Sequence, residues 1–120
     1  MTDVHNVDTV LIVIDRPPYG DWHGREALDM ALSLAAFDQP VAILFRGEGV
    51  HWLRPGQNGG AVDQKTVSRN LSAAPLFGVE TLYADQSALN RIGLEQTEPD
   101  VVTVVADQHF YRRFCEVVQL

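Results

Sequence analysis

Short uninterrupted apolar runs alternate along the chain with longer segments in which apolar residues recur at helical spacing. The first run is Thr9–Asp15, TVLIVID. A continuous β-branched run of this kind predicts a strand buried on both faces, as in the middle of a parallel sheet. Arg16-Pro17-Pro18-Tyr19-Gly20 ends it, because proline has no N–H to contribute to a ladder. A segment rich in Ala and Leu then predicts a helix over about Arg25–Phe37. Its polar residues Glu26, Asp29 and Ser33 fall at spacings of three and four, along one narrow stripe. The rest of the circumference, including Met30, Leu34 and Phe37, is apolar. A helix lying on a sheet needs only one apolar face, so the surplus predicts burial against a partner as well.

Asp38-Gln39-Pro40 predicts a turn, and Val41–Phe45 (VAILF) a second buried strand. The loop Arg46-Gly47-Glu48-Gly49 leads to a short turn or helix over Val50–Leu53, which carries Trp52. Pro55-Gly56-Gln57-Asn58-Gly59-Gly60 is the strongest loop signal in the chain. A helix follows over about Val62–Leu76, ended or bent near Pro75. Thr81–Ala84 predicts a third strand, and Asp85 opens a helix that runs to about Ile92 and stops at Gly93. Val101–Ala106 predicts the fourth strand, Asp107–Phe114 the last helix and Glu116–Leu120 a fifth strand.

Strands alternating with helices pair in parallel through right-handed crossovers, with helices on both sheet faces. The expected fold class is therefore α/β, a three-layer α/β/α sandwich around a mainly parallel five-stranded sheet of flavodoxin-like or Rossmann-like kind. A length of 120 residues suits a single domain over 1–120, with residues 1–8 as a flexible tail. In such sheets ligands and chemistry sit beyond the carboxyl ends of the strands. The segments to inspect are Arg16–Arg25, Arg46–Leu53, Ala84–Gln86 and Ala106–His109.

Composition narrows the classes. The chain carries 9 basic and 16 acidic residues, a formal net charge of −7, and its one lysine is Lys65. That balance repels phosphate backbones, so direct nucleic-acid binding is not expected. No apolar run is longer than Val10–Ile14, far short of the ~20 residues that span a bilayer. Met1–Asp8 has neither the charge nor the apolar core of a signal peptide, so a cytoplasmic location is expected. The single cysteine, Cys115, excludes an internal disulfide and a multi-cysteine metal site.

Each inspected segment has a structural reading that suffices. Gly20-Asp21-Trp22-His23-Gly24 precedes a helix but lacks both glycine-rich phosphate fingerprints, and two prolines upstream remove amide donors. No cofactor is expected. His5, His23, His51 and His109 are scattered, with no i, i+4 pair, so no metal is expected either. Cys115 falls at the end of the last helix beside Glu116, where negative charge disfavours a thiolate. It enters a strand instead of leaving one, and a buried structural role is expected for it. Asp85 and Asp107 each follow a strand and read as helix N-caps. Tyr19 and Trp22 read as packing or interface anchors.

Taken together, certain phrases have a familiar order. Pro18-Tyr19-Gly20 precedes Gly24-Arg25-Glu26-Ala27-Leu28-Asp29, and Val41–Phe45 precedes Gly47-Glu48-Gly49-Val50 and Leu53-Arg54-Pro55-Gly56-Gln57. The helix Ser87–Ile92, Gly93-Leu94 and a short C-terminal strand complete the series. From about Val10 to Leu120 this resembles the DsrE/DsrF-like sulfur-relay family. The resemblance implies a hetero-oligomer with TusB-like and TusD-like sister subunits, a dimer of heterotrimers, with a TusE-like sulfur acceptor downstream. In the Tus system such a complex passes persulfide sulfur toward 2-thiouridine at the tRNA wobble position; in the Dsr system it works in sulfur oxidation. The sulfur-carrying cysteine belongs to the TusD/DsrE-type sister, after the third strand. At the matching position this chain has Asp85, and a carboxylate cannot carry a persulfide. The resemblance thus implies a noncatalytic structural subunit with no catalytic residue of its own. Tyr19, Trp22, Met30, Leu34, Phe37 and Trp52 are then expected interface residues. An independent nucleotide- or flavin-binding domain is the alternative the residues leave open.

Overall fold

The structure is a computed structural model that describes residues 8–17, 23–54, 79–97 and 101–119. The helix expected over Val62–Leu76, and the tail apart from Asp8, lie outside the described residues. Five strands are found among the described residues: β1 (Val10–Ile14), β2 (Val41–Phe45), β3 (Val79–Asp85), β4 (Val102–Val104) and β5 (Glu116–Gln119). Three α-helices are described, α1 (His23–Ala36), α2 (Gln86–Ile92) and α3 (Gln108–Tyr111), with a 3₁₀ helix over Gly47–Leu53. All neighbouring strands run parallel, in the order β4-β3-β2-β1-β5. The sheet is thus wholly parallel where the pattern predicted mainly parallel.

The central strands explain why their sequences lack alternation. Every residue of β1 and β2 is buried, since both faces of the sheet are covered. Val10, Ile12 and Ile14 join Ile43, Phe45, Ala31 and Ala35 in one cluster, which Trp52 and Leu89 complete. Leu11 and Val13 point the other way, to Leu44, Tyr83, Phe110 and Phe114. Burying each such Val, Ile, Leu or Phe stabilises the fold by about 1.5–3 kcal/mol. On this second face Tyr83, Phe110 and Phe114 meet edge-on, with centroids 5.0 to 6.0 Å apart.

The edges differ. β4 is three residues long where the run Val101–Ala106 predicted more. Its only sheet neighbour, β3, ends at Asp85 opposite Val104, so the ladder has nothing further to pair with. The last helix likewise stops at Tyr111, short of the predicted Phe114.

Two closures fix the connections. Gly49 lies so close to the backbone of β1 that an added Cβ would overlap the Ile14 carbonyl, so only glycine lets the 3₁₀ helix dock there. At the end of α1 the Asp38 N–H donates to Ala35 O (3.0 Å) and the Gln39 N–H to Leu34 O (3.3 Å), a Schellman closure. Asp38 itself takes φ 68°, the left-handed region where glycine is the usual occupant. Among the described residues no helix is long and apolar enough to cross a membrane.

Candidate functional site

The topology selects one place. The exits of β1, β2 and β3 lead to α1, the 3₁₀ helix and α2, which pack on the first face. The exit of β4 leads to α3 on the opposite face. The direction therefore switches between the carboxyl ends of β3 and β4, where open α/β sheets form their binding crevice.

Asp85 stands at that switch, as the last residue of β3 and directly before α2. It occupies the N-cap position but makes no side-chain cap bond, contrary to the sequence expectation. Its carboxylate turns sideways instead. Oδ1 accepts the backbone N–H of Ala106 at 3.3 Å, and Oδ2 accepts the hydroxyl of Ser87 at 2.9 Å. One oxygen thus ties the exit of β3 to the exit of β4, across the mouth of the crevice. Asp107 is a cap as expected: its carboxylate accepts the Phe110 N–H at 3.0 Å and starts α3.

The neighbouring strand ends carry a second polar network. Arg46, just past β2, donates to the Tyr111 hydroxyl at 2.8 Å and lies 4.0 Å from the Asp15 carboxylate. Gln119, at the end of β5, donates to the same Asp15 at 2.6 Å. These bonds lace β1, β2, β5 and α3 together at one edge. Beside β4 a hollow lined by Val104, Val105, Asp107, His109, Phe110 and Arg113 lies open to solvent.

Of the candidate ligands and nucleophile, His109 lines the hollow beside β4, His5 and the side chain of His23 lie outside what is described, and His51 and Cys115 have other surroundings. His51 accepts from Arg54 Nε at 3.0 Å and sits 3.4 Å from Glu48. Among the described residues no three of His, Cys, Asp and Glu are grouped to hold a metal ion. Cys115 is exposed, which corrects the expectation of a buried thiol. Phe114 takes the inward position instead, in the aromatic cluster. The Cys115 backbone N–H donates to Thr9 O, at the amino ends of β1 and β5. That is one strand length from the switch side, roughly 15 Å along the sheet.

The expected interface residues separate into three groups. Tyr19 and Trp22 lie outside the described residues. Trp52 is only 1% exposed, and its indole N–H donates to Arg16 O at 2.8 Å, so it is a core residue of this chain and not a surface anchor. Its large apolar ring fills the space between the 3₁₀ helix and the sheet. Leu34 is half-buried against the first-face core. Met30 and Phe37 face outward, Phe37 with 84% of its surface exposed.

Comparison with known proteins bears directly on this arrangement. The family model described as DsrE/DsrF-like matches residues 8–109. The chain belongs to the DsrE/DsrF-like family. A TusC homolog of Pseudomonas aeruginosa is 36% identical over 116 residues, covering 93% of this chain and 98% of that protein. The intracellular sulfur oxidation protein DsrF of Allochromatium vinosum is 32% identical over 106 residues, covering 88% of this chain and 76% of that one. The protein TusC of Escherichia coli is 30% identical over 93 residues, covering 78% of each. The crystal structure of the ychN protein from E. coli shares the fold, with a TM-score of 0.70 over 95% of this chain and 99% of that one, at 16% identity. Within the family fold, then, the β3–β4 switch of this chain holds a carboxylate strut and no thiol.

Proposed function

We propose that this chain is a noncatalytic structural subunit of a sulfur-relay complex of the TusBCD type. It contributes contact surface to TusB-like and TusD-like sister subunits in the cytoplasm, and the complex passes persulfide sulfur toward 2-thiolation of the tRNA wobble uridine. The relatives named TusC and DsrF support the sulfur-relay assignment. The observation that carries the noncatalytic reading is Asp85. It closes the third strand and opens the next helix, the junction where the resemblance places the sister's sulfur-carrying cysteine, and both its oxygens are engaged in holding backbone and side chain. Carboxylate oxygen has no sulfur oxidation states through which sulfane sulfur could be accepted and released. The one thiol, Cys115, is at the opposite end of the strands. The thiolation pathway is preferred to sulfur oxidation on the strength of the TusC homolog of P. aeruginosa, 36% identical over 116 residues against 32% over 106 for DsrF.

The test is coexpression with the two sister chains from the same genome, followed by size-exclusion chromatography with light scattering. A stable particle containing all three chains is expected. A monomer that ignores both sisters contradicts the proposal, and a nucleotide or flavin copurifying with that monomer would favour the ligand-binding alternative.

A further inference from the structure

The outward face of α1 combines three features that none of the described contacts explains. Glu26, Met30, Ser33 and Phe37 follow one another at spacings of four, three and four, so they form one row along the helix, and all are exposed. Phe37 ends that row with 84% of its surface in solvent, the most exposed of the large hydrophobic residues described. Among the described residues, the exposed charged side chains in and beside the row, Glu26, Asp29 and Asp38, are all carboxylates, and the last turn of α1 holds no basic residue.

Asp38 is the decisive residue. It fills the left-handed position of the Schellman closure at φ 68°, where glycine carries no steric penalty and an L side chain does. It also puts a negative group at a helix C-terminus, the end that already bears partial negative charge. Glycine is the residue the backbone favours there, aspartate is among the few others that take this conformation, and the helix dipole disfavours its charge. A carboxylate at this end of the helix, beside an exposed phenylalanine, points outward, to something that meets its charge.

We propose that this face of α1 docks on a partner protein that offers an apolar pocket for Phe37 and Met30, with lysine or arginine at its rim opposite Asp38, Asp29 and Glu26. The proposal rests on the subunit reading above and assigns the chemistry of one of its contacts. Phe37 is the anchor, since a desolvated aromatic carries most of the energy in such contacts. The carboxylates set register and encounter rate, and their contribution weakens with salt.

The test uses the full chain coexpressed with its sister subunits, comparing wild type with Phe37→Ser and Asp38→Gly. Phe37→Ser is expected to leave the melting midpoint of the isolated chain within about 2 °C and to weaken assembly at least about tenfold. Asp38→Gly is expected to raise that midpoint by about 4 °C, because it relieves the left-handed strain, yet to weaken assembly by about tenfold. That opposition of stability and binding is what a purely structural residue would not produce. Wild-type assembly should also weaken as salt rises from about 50 to about 300 mM. Normal assembly of both variants would overturn the proposal and leave the subunit reading standing. Failure of the wild type to assemble would overturn both. If the isolated wild-type chain instead self-associates and Phe37→Ser abolishes this, the occupant is a second copy and the basic-rimmed partner is wrong.

Discussion

Asp85 and Ala106 are 21 positions apart in sequence, yet one hydrogen bond joins them at the switch between β3 and β4. Removing the acceptor should free the exit of β4. Asp85→Ala is expected to cost about 1–2 kcal/mol in urea unfolding, while Asp85→Asn, which keeps an amide oxygen in place, should cost less than half of that. Equal losses for the two would assign the effect to charge and not to the strut. This bond also marks a limit of sequence reading. That Asp85 follows a strand and precedes a helix was legible, and it suggested a cap. That its carboxylate reaches a backbone amide of the next strand depends on which strand lies alongside, which the local pattern does not contain. Cys115 and Phe114 illustrate the same limit. Adjacent apolar residues at a helix-to-strand junction do not reveal which turns inward; the aromatic cluster with Tyr83 settles it for Phe114. Asp38-Gln39-Pro40 was legible as a turn, whereas its left-handed backbone at Asp38 was not, since glycine is the usual sign of that conformation.

Elements were most legible where both faces are buried. β1 and β2 fall within their predicted runs because a doubly covered strand must be apolar at every position. The edges were less so, because the length of β4 is set by where β3 turns away and not by its own residues. α3 shows the other side of this: only four residues long, it depends on its terminus as much as on its packing. Asp107 supplies the cap through the Phe110 amide, and Phe110 anchors the helix on the second face of the sheet. Asp107→Ala is expected to destabilise the chain by about 1 kcal/mol and to speed hydrogen exchange at the Phe110 amide. Unchanged exchange there would mean that aromatic packing alone holds α3. Trp52 belongs to this scale as well. The family resemblance suggested an interface residue, and the docking of the 3₁₀ helix on β1, which Gly49 permits, carries it into the core.

At the scale of the whole molecule, the sheet separates the two groups on which a sulfur relay could turn. The switch between β3 and β4 holds a carboxylate used for structure, and the thiol lies at the amino ends of the strands. A net charge of −7 further suits contact with proteins better than contact with tRNA. The account therefore predicts that Cys115→Ser leaves sulfur transfer by the assembled complex within about twofold of wild type, measured as acceptor persulfide formed per complex. The most direct test is to load the complex of this chain and its two sisters with persulfide sulfur and weigh each intact subunit by mass spectrometry. The account predicts the added mass of one sulfur atom on the TusD-like sister and none on this chain. Sulfur found on Cys115, lost together with transfer in Cys115→Ser, would contradict it.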